Sequence, residues 1–156
     1  MDALKRVDLI VQAFLKMPHK RLIVTSGGNE LKKLQKMAQN APHIHFTGWI
    51  DDTKLIQLVG NAIATLYLAK DEDFGMSPVE SMAAGKPVIG VAEGGLLETI
   101  LPNETGILLE PQLHPDAICQ AVEAMTPQCA LKMRRASEEQ AQHFRTEVFL
   151  DKMRSL

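Results

Sequence analysis

Two glutamates, Glu72 and Glu80, stand eight positions apart in the stretch EDFGMSPVESMAAGKPV. Carboxylates that face one cleft accept hydrogen bonds from vicinal hydroxyls, which is the chemistry of sugar recognition. Between them Phe74, Gly75, Met76 and Ser77 offer main-chain N–H donors at the start of a predicted helix. There, unpaired amides and the positive end of the helix dipole can receive a diphosphate. The same letters also have a structural reading. Ser77-Pro78-Val79-Glu80 has the S-x-x-E form of a capping box with proline in the first turn, and Glu80 would then bond only its own helix end. Spacing alone leaves both readings open.

Other polar groups are less informative. His43 and His45 share one face of a predicted strand, but no third ligand lies near them in sequence, so they read as polar-edge histidines and no metal is expected. Asp71-Glu72-Asp73 reads as a solvated acidic turn, and Lys32, Lys33 and Lys36 as a basic helix face too sparse to hold an anionic membrane by itself. Trp49 either stacks on a base or fills the end of a strand. The eight methionines are core filler.

The elements that must position these residues follow from periodicity. Val7, Ile10, Val11, Phe14 and Leu15 predict a helix over 2–17, stopped by Pro18. Strands are predicted at 22–26, 43–46, 62–68, 88–91 and 107–109. Between them lie amphipathic helices: one capped by Asn29, one capped by Asp51 or Asp52 and ended by Gly60, the motif helix stopped by Gly85-Lys86-Pro87, and one through Glu98. Pro115 opens a further helix with Ile118, Ala121, Val122 and Met125 on its buried face, and more helix is expected from about Ala130. Apolar strands separated by single helices mean parallel pairing with helices on both faces, a Rossmann-like, doubly wound α/β sheet. In such sheets ligands sit beyond the carboxyl ends of the strands, where Gly27-Gly28, Thr47-Gly48, the acidic turn and Gly94-Gly95 all fall. The chain nevertheless opens on a helix where a strand is expected. The usual first strand is therefore expected to be absent, with strand 22–26 either pairing directly with 62–68 or standing across a gap filled by another chain. Unpaired edges at such a gap would promote association with further copies.

Bulk properties exclude several classes. A chain of 156 residues with 46% apolar content fits one domain, 1–156. A net charge of -2 with signs interspersed and seven aromatic side chains offers neither a basic face nor a stacking platform for nucleic acid. Cys119 and Cys129 lack metal-ligand spacing and are expected as free thiols in a reducing cytoplasm. No apolar run reaches the ~18–20 residues of a membrane span. Attachment to the inner membrane face stays open.

The stretch from Glu72 to Val88 resembles the Glu-x7-Glu signature of the group 1 glycosyltransferases, the retaining family with the GT-B fold. Further segments resemble that family in the same order: KRVDLIVQAF, LIVTSGG, IHFTGWI and EGGLLETILPNETGILL. Together they cover nearly the whole chain and match the C-terminal, donor-binding domain. The form EDFG followed by Pro-Val-Glu is similar to mannosyltransferases that use GDP-mannose.

The resemblance implies roles residue by residue. Glu72 would contact the transferred sugar, the backbone of Phe74, Gly75 and Met76 the sugar and diphosphate, and Glu80 the ribose. Lys5 would neutralise the diphosphate leaving group. Gly27 and Gly28 would admit the nucleotide, Thr47, Trp49 and Ile50 would lie near the base, and Glu98 matches the position after the glycine pair. No cofactor is implied beyond the donor itself, a nucleoside diphosphate sugar such as GDP-mannose or a UDP-sugar. The family's N-terminal acceptor domain and an arginine that precedes the lysine have no counterpart here, so a partner domain or chain is expected. The competing expectation is a non-catalytic domain that binds nucleotide sugar or serves as an interaction module.

Overall fold

The structure is a computed structural model and describes residues 3–154. A 3-10 turn, Ala3–Lys5, leads into α1, Val7–Leu15, with Arg6 in the left-handed region (φ 51°) between them. The predicted helix over 2–17 is thus broken near its start. Positive φ is unfavourable for a side chain as long as arginine, so the surroundings must hold Arg6 there.

Strand β1, Leu22–Thr25, pairs in parallel with β2, Ile44–Gly48, with α2, Leu31–Met37, as the crossover. The cap of α2 differs from expectation. Glu30 occupies the N-cap position without a side-chain bond to the helix amides, and Asn29 does not cap the helix. Asp51 does cap α3, Asp52–Asn61: its Oδ1 accepts from the Lys54 amide at 2.7 Å. Gly60 lies inside that helix and does not end it.

The second group of strands is β3, Thr65–Tyr67, β4, Val88–Val91, and β5, Gly106–Leu109, all parallel in the order β3-β4-β5. Their crossovers are α4, Met76–Ala83, and the short α5, Leu96–Thr99. α4 ends as expected. Gly85 has φ +70°, and the amides of Gly85 and Lys86 bond back to the Met82 and Ser81 carbonyls. Three further helices follow: α6, Pro115–Ala124, α7, Pro127–Gln142, and α8, Thr146–Arg154.

β1 and β3 do not pair. The strands form a two-stranded and a three-stranded sheet, so of the two arrangements expected for strands 22–26 and 62–68 the structure has the break and not the direct pairing. One hydrophobic core nevertheless runs through both sheets, from Val11, Phe14 and Leu34 to Met82, Val88, Val91, Leu96, Ile100 and Ile118. Each such side chain, taken fully out of water, stabilises the fold by about 1.5–3 kcal/mol. β4 is buried at all four positions and is the centre of the three-stranded sheet. β3, with the same apolar character, is only half-buried along its length. α1 packs on α6 and α4 on α7, giving the sheets their helical cover.

Candidate nucleotide-sugar site

The carboxyl ends of β3 and β4 and the 3-10 turn converge on one cluster. Tyr67, the last residue of β3, donates its hydroxyl to Glu72 Oε2 at 2.6 Å and accepts from Lys5 Nζ at 2.9 Å. Lys5 Nζ lies 3.4 Å from the same carboxylate oxygen and 5.1 Å from the centroid of the Tyr67 ring. The other oxygen, Glu72 Oε1, accepts from the Gly75 amide at 3.3 Å. Glu72 is therefore held from three sides, and its side chain is only 23% exposed.

The electrostatics follow from those contacts. The Tyr67 hydrogen bond, reinforced by Lys5, holds the Glu72 carboxyl below the usual carboxylate range. The same hydroxyl, accepting from the ammonium, raises Lys5, against the opposing effect of partial burial. Burial is the main reason the Tyr67 phenol is pushed up, and donation to Glu72 adds to it. At neutral pH the cluster is a fixed carboxylate, a neutral phenol and an ammonium, with the cation 41% exposed.

Backbone conformation holds the acidic turn in place. Gly75 (φ +81°) is the N-cap of α4, and a Cβ there would stand 2.9 Å from Leu96 Cδ2. The carbonyl of Glu72 accepts from the Gly95 amide at 2.9 Å. Gly94 and Gly95 press so closely on the Glu72 and Asp73 carbonyls that any side chain would displace them. The paired glycines thus serve to seat the acidic turn, a packing role that spacing alone does not reveal.

Arg6 closes the other side. Its guanidinium grips both carboxylate oxygens of Glu93 at 2.9 and 3.3 Å, with both side chains mostly shielded. This fork-to-fork pair ties the 3-10 turn to the loop after β4 and accounts for the left-handed Arg6 backbone. Neither Tyr67 nor Arg6 is a residue that sequence reasoning selects. Tyr67 hides in an apolar strand pattern, and Arg6 reads as one more charge on a helix.

α4 begins at Met76 with Gly75 as its cap, so Ser77 lies inside the helix and the S-x-x-E capping box does not form. Glu80 is exposed, on the same side of α4 as Met76 four residues earlier and opposite the buried Pro78, Ser81 and Met82. Among the described residues its carboxylate makes no hydrogen bond or ion pair, and it does not join the Lys5–Tyr67–Glu72 cluster. The Phe74 ring meets Phe144 edge-on, centroids 5.4 Å apart and planes at 77°. That contact ties the acidic turn to the segment after α7.

The third group lies at the end of β1. Ser26 (φ 77°) turns the chain, and the Trp49 indole lies against Gly27, where a Cβ would meet Trp49 Nε1 at 2.5 Å. Gly28 follows with φ 123°. Trp49 is 81% exposed and so does not fill the end of a strand. Thr47 Oγ1 bonds the Gly48 carbonyl at 2.9 Å, and Ile50 is half-buried beside them. The structure thus joins Lys5, Glu72 and Gly75 in one cluster and Gly27 with Trp49 in another. His43 bonds the Phe14 carbonyl at 2.9 Å and packs the sheet.

The cation–carboxylate cluster and the start of α4 stand at the carboxyl ends of parallel strands, where ligands sit in α/β sheets of this kind. The family model described as glycosyl transferases group 1 matches residues 1–144. This chain belongs to that family. It is 33% identical over 127 residues to the alpha-1,3/1,6-mannosyltransferase ALG2 of Mus musculus, covering 80% of this chain and 30% of that protein. It is 29% identical over 125 residues to the GDP-mannose-dependent alpha-(1-6)-phosphatidylinositol dimannoside mannosyltransferase of Mycobacterium tuberculosis, covering 80% of this chain and 32% of that protein. The sucrose-phosphate synthase of Thermosynechococcus elongatus superposes on 99% of this chain and 42% of its own with a TM-score of 0.87 and 27% identity. The fold is accordingly that of one half of a GT-B glycosyltransferase, and the chain spans about a third of the length of these mannosyltransferase relatives.

Proposed function

We propose that this chain is the donor-binding half of a retaining glycosyltransferase, holding a nucleoside diphosphate hexose for transfer to a glycan or lipid-linked acceptor. The observation that carries the reading is the Lys5–Tyr67–Glu72 cluster at the open end of the sheet, beside the first turn of α4. Glu72, ionised and immobilised, accepts hydrogen bonds from the hexose hydroxyls. Lys5 and the amides at Phe74 and Met76 face the diphosphate, while Gly75, whose own amide holds Glu72, lets the backbone approach it. As the bond from the anomeric carbon to the diphosphate oxygen breaks, the electron pair leaves with the diphosphate, and the ammonium offsets the growing charge. Glu80 takes the ribose hydroxyls, and Gly27, Gly28, Thr47, Trp49 and Ile50 form the side near the base. The mannosyltransferase relatives favour mannose, carried by GDP, as the donor group. The acceptor is oriented by a second domain or chain, because transfer requires both substrates to be held together in a closed cleft.

Calorimetric titration with GDP, UDP and GDP-mannose tests this. Binding of a nucleoside diphosphate that weakens in Lys5→Ala, and a further gain from the sugar that vanishes in Glu72→Ala, is the expected pattern. A folded protein that binds none of the three supports the interaction-module reading instead.

A further inference from the structure

The turn that carries Glu72 is held at two points besides its carboxylate. The Glu72 carbonyl accepts from the Gly95 amide at 2.9 Å, and the Phe74 ring meets Phe144 edge-on with centroids 5.4 Å apart. Both points lead to the end of α7. Phe144 stands just past that helix, where its amide bonds the Ala141 carbonyl at 3.2 Å. One turn earlier, Gln140 Nε2 donates to the carbonyls of Thr99 at 3.2 Å and Glu98 at 3.4 Å. These are last-turn carbonyls of α5, which a helix end leaves without partners of its own. Thr99 is fully buried, and its hydroxyl donates to the Gly95 carbonyl at 3.2 Å. Gln140 thus fixes Thr99, Thr99 fixes Gly95, and Gly95 holds the backbone of Glu72.

The end of α7 is itself firmly placed. Ala130, Met133, Ser137 and Ala141 form its buried face, and the helix packs on α4. A contact that served packing alone would sit in the core, yet the Phe74 ring stays 39% exposed and Phe144 is half-buried. The pair therefore removes little apolar surface from water, and what it fixes is position. Phe74 immediately precedes Gly75, whose amide donates to Glu72 Oε1 at 3.3 Å.

We infer that Gln140 and Phe144 are positioning residues for the donor site, bracing the Glu72 turn from α7 through Gly95 and Phe74. The brace keeps the Gly75 amide on one carboxylate oxygen and the other oxygen within reach of Tyr67 and Lys5. Its bearing on the sugar rests on the reading of Glu72 as the carboxylate that takes the hexose hydroxyls. The placement of Glu72 does not depend on that reading.

Carbon-detected NMR of the Glu72 carboxyl in the full chain, together with calorimetry using GDP and GDP-mannose, tests both parts. Phe144→Ala frees the turn, so the bonds that favour the ionised carboxylate lengthen and its titration midpoint should rise towards the ordinary glutamate range. Phe144→Tyr keeps the ring and should keep the parent midpoint. Gln140→Met retains the length of the side chain at a half-buried position but cannot donate, and should move the midpoint in the same direction as Phe144→Ala. Met133→Ala is the control: it empties a buried place on the same helix, lowers stability, and should leave the midpoint unmoved. Phe144→Ala should also cut the affinity that the hexose adds over GDP alone by about two- to tenfold, because a contact can bias the turn by no more than its own worth. An unchanged midpoint in folded Phe144→Ala or Gln140→Met, an equal shift in Met133→Ala, or a sugar gain that Phe144→Ala leaves intact would overturn the inference. A parent protein that binds no nucleotide, with the midpoint still moving as stated, would uphold the brace and remove only the donor reading.

Discussion

Replacing Tyr67 by Phe removes one oxygen atom and tests the wiring of the site. The hydroxyl donates to Glu72 at 2.6 Å and accepts from Lys5 at 2.9 Å, whereas the direct Lys5–Glu72 approach is longer, at 3.4 Å. A hydrogen bond to a charged group contributes about 1.5–3 kcal/mol when shielded. With the Lys5 side chain 41% and Glu72 23% exposed, solvent screening brings the expected loss to about 1 kcal/mol. For a chain of this length that lowers Tm by about 2–4 °C. The pH dependence fixes the cause. Glu72 is held below its ordinary value, so its contribution to stability is fully present above the unfolded-state pKa and is lost as pH falls through the folded-state value. The gap between parent and Y67F should therefore be widest near neutral pH and narrow in acid. Carbon-detected NMR of the Glu72 carboxyl should show its titration midpoint moving up in Y67F, towards the ordinary glutamate range. An unchanged midpoint, or equal stability at every pH, would show that Tyr67 does not organise the carboxylate, and the account of the cluster would fail.

Three other substitutions have defined outcomes. Gly75→Ala sets a Cβ 2.9 Å from Leu96 Cδ2 on a φ +81° backbone, and urea denaturation should show a loss of about 1–3 kcal/mol together with weaker nucleotide binding. Arg6→Ala opens the shielded pair with Glu93 and should cost about 1–2 kcal/mol. Because Lys5 then loses its anchored neighbour, nucleoside diphosphate affinity should fall as well, which calorimetry would read. Met82→Ala empties a fully buried position on the inner face of α4 and should cost about 2–5 kcal/mol in the same denaturation assay.

The strands were the most legible part of the sequence. Val88–Val91 is found with its predicted bounds because a continuous apolar run matches a strand buried on both faces. The run from Ala62 to Leu68 predicted a longer strand than the three residues observed, since β3 has a ladder partner on one side only. Lys5 and Glu72 were readable as a pair through the family resemblance, yet their link was not. A tyrosine in an apolar strand carries no mark of the direction its hydroxyl takes. The capping box at Ser77 failed because Gly75, with its positive φ, starts the helix two residues earlier and leaves Ser77 inside it. Arg6 went unselected for a related reason: helical periodicity cannot register one left-handed residue, and the long-range partner Glu93 that holds it is invisible locally.

Trp49 is the sole indole of the chain, and it lies 81% exposed against the backbone of Gly27 at the proposed base-binding end. Its emission therefore comes from one known place. A purine seated there would quench or blue-shift that light, so occupancy can be followed optically in unlabelled protein.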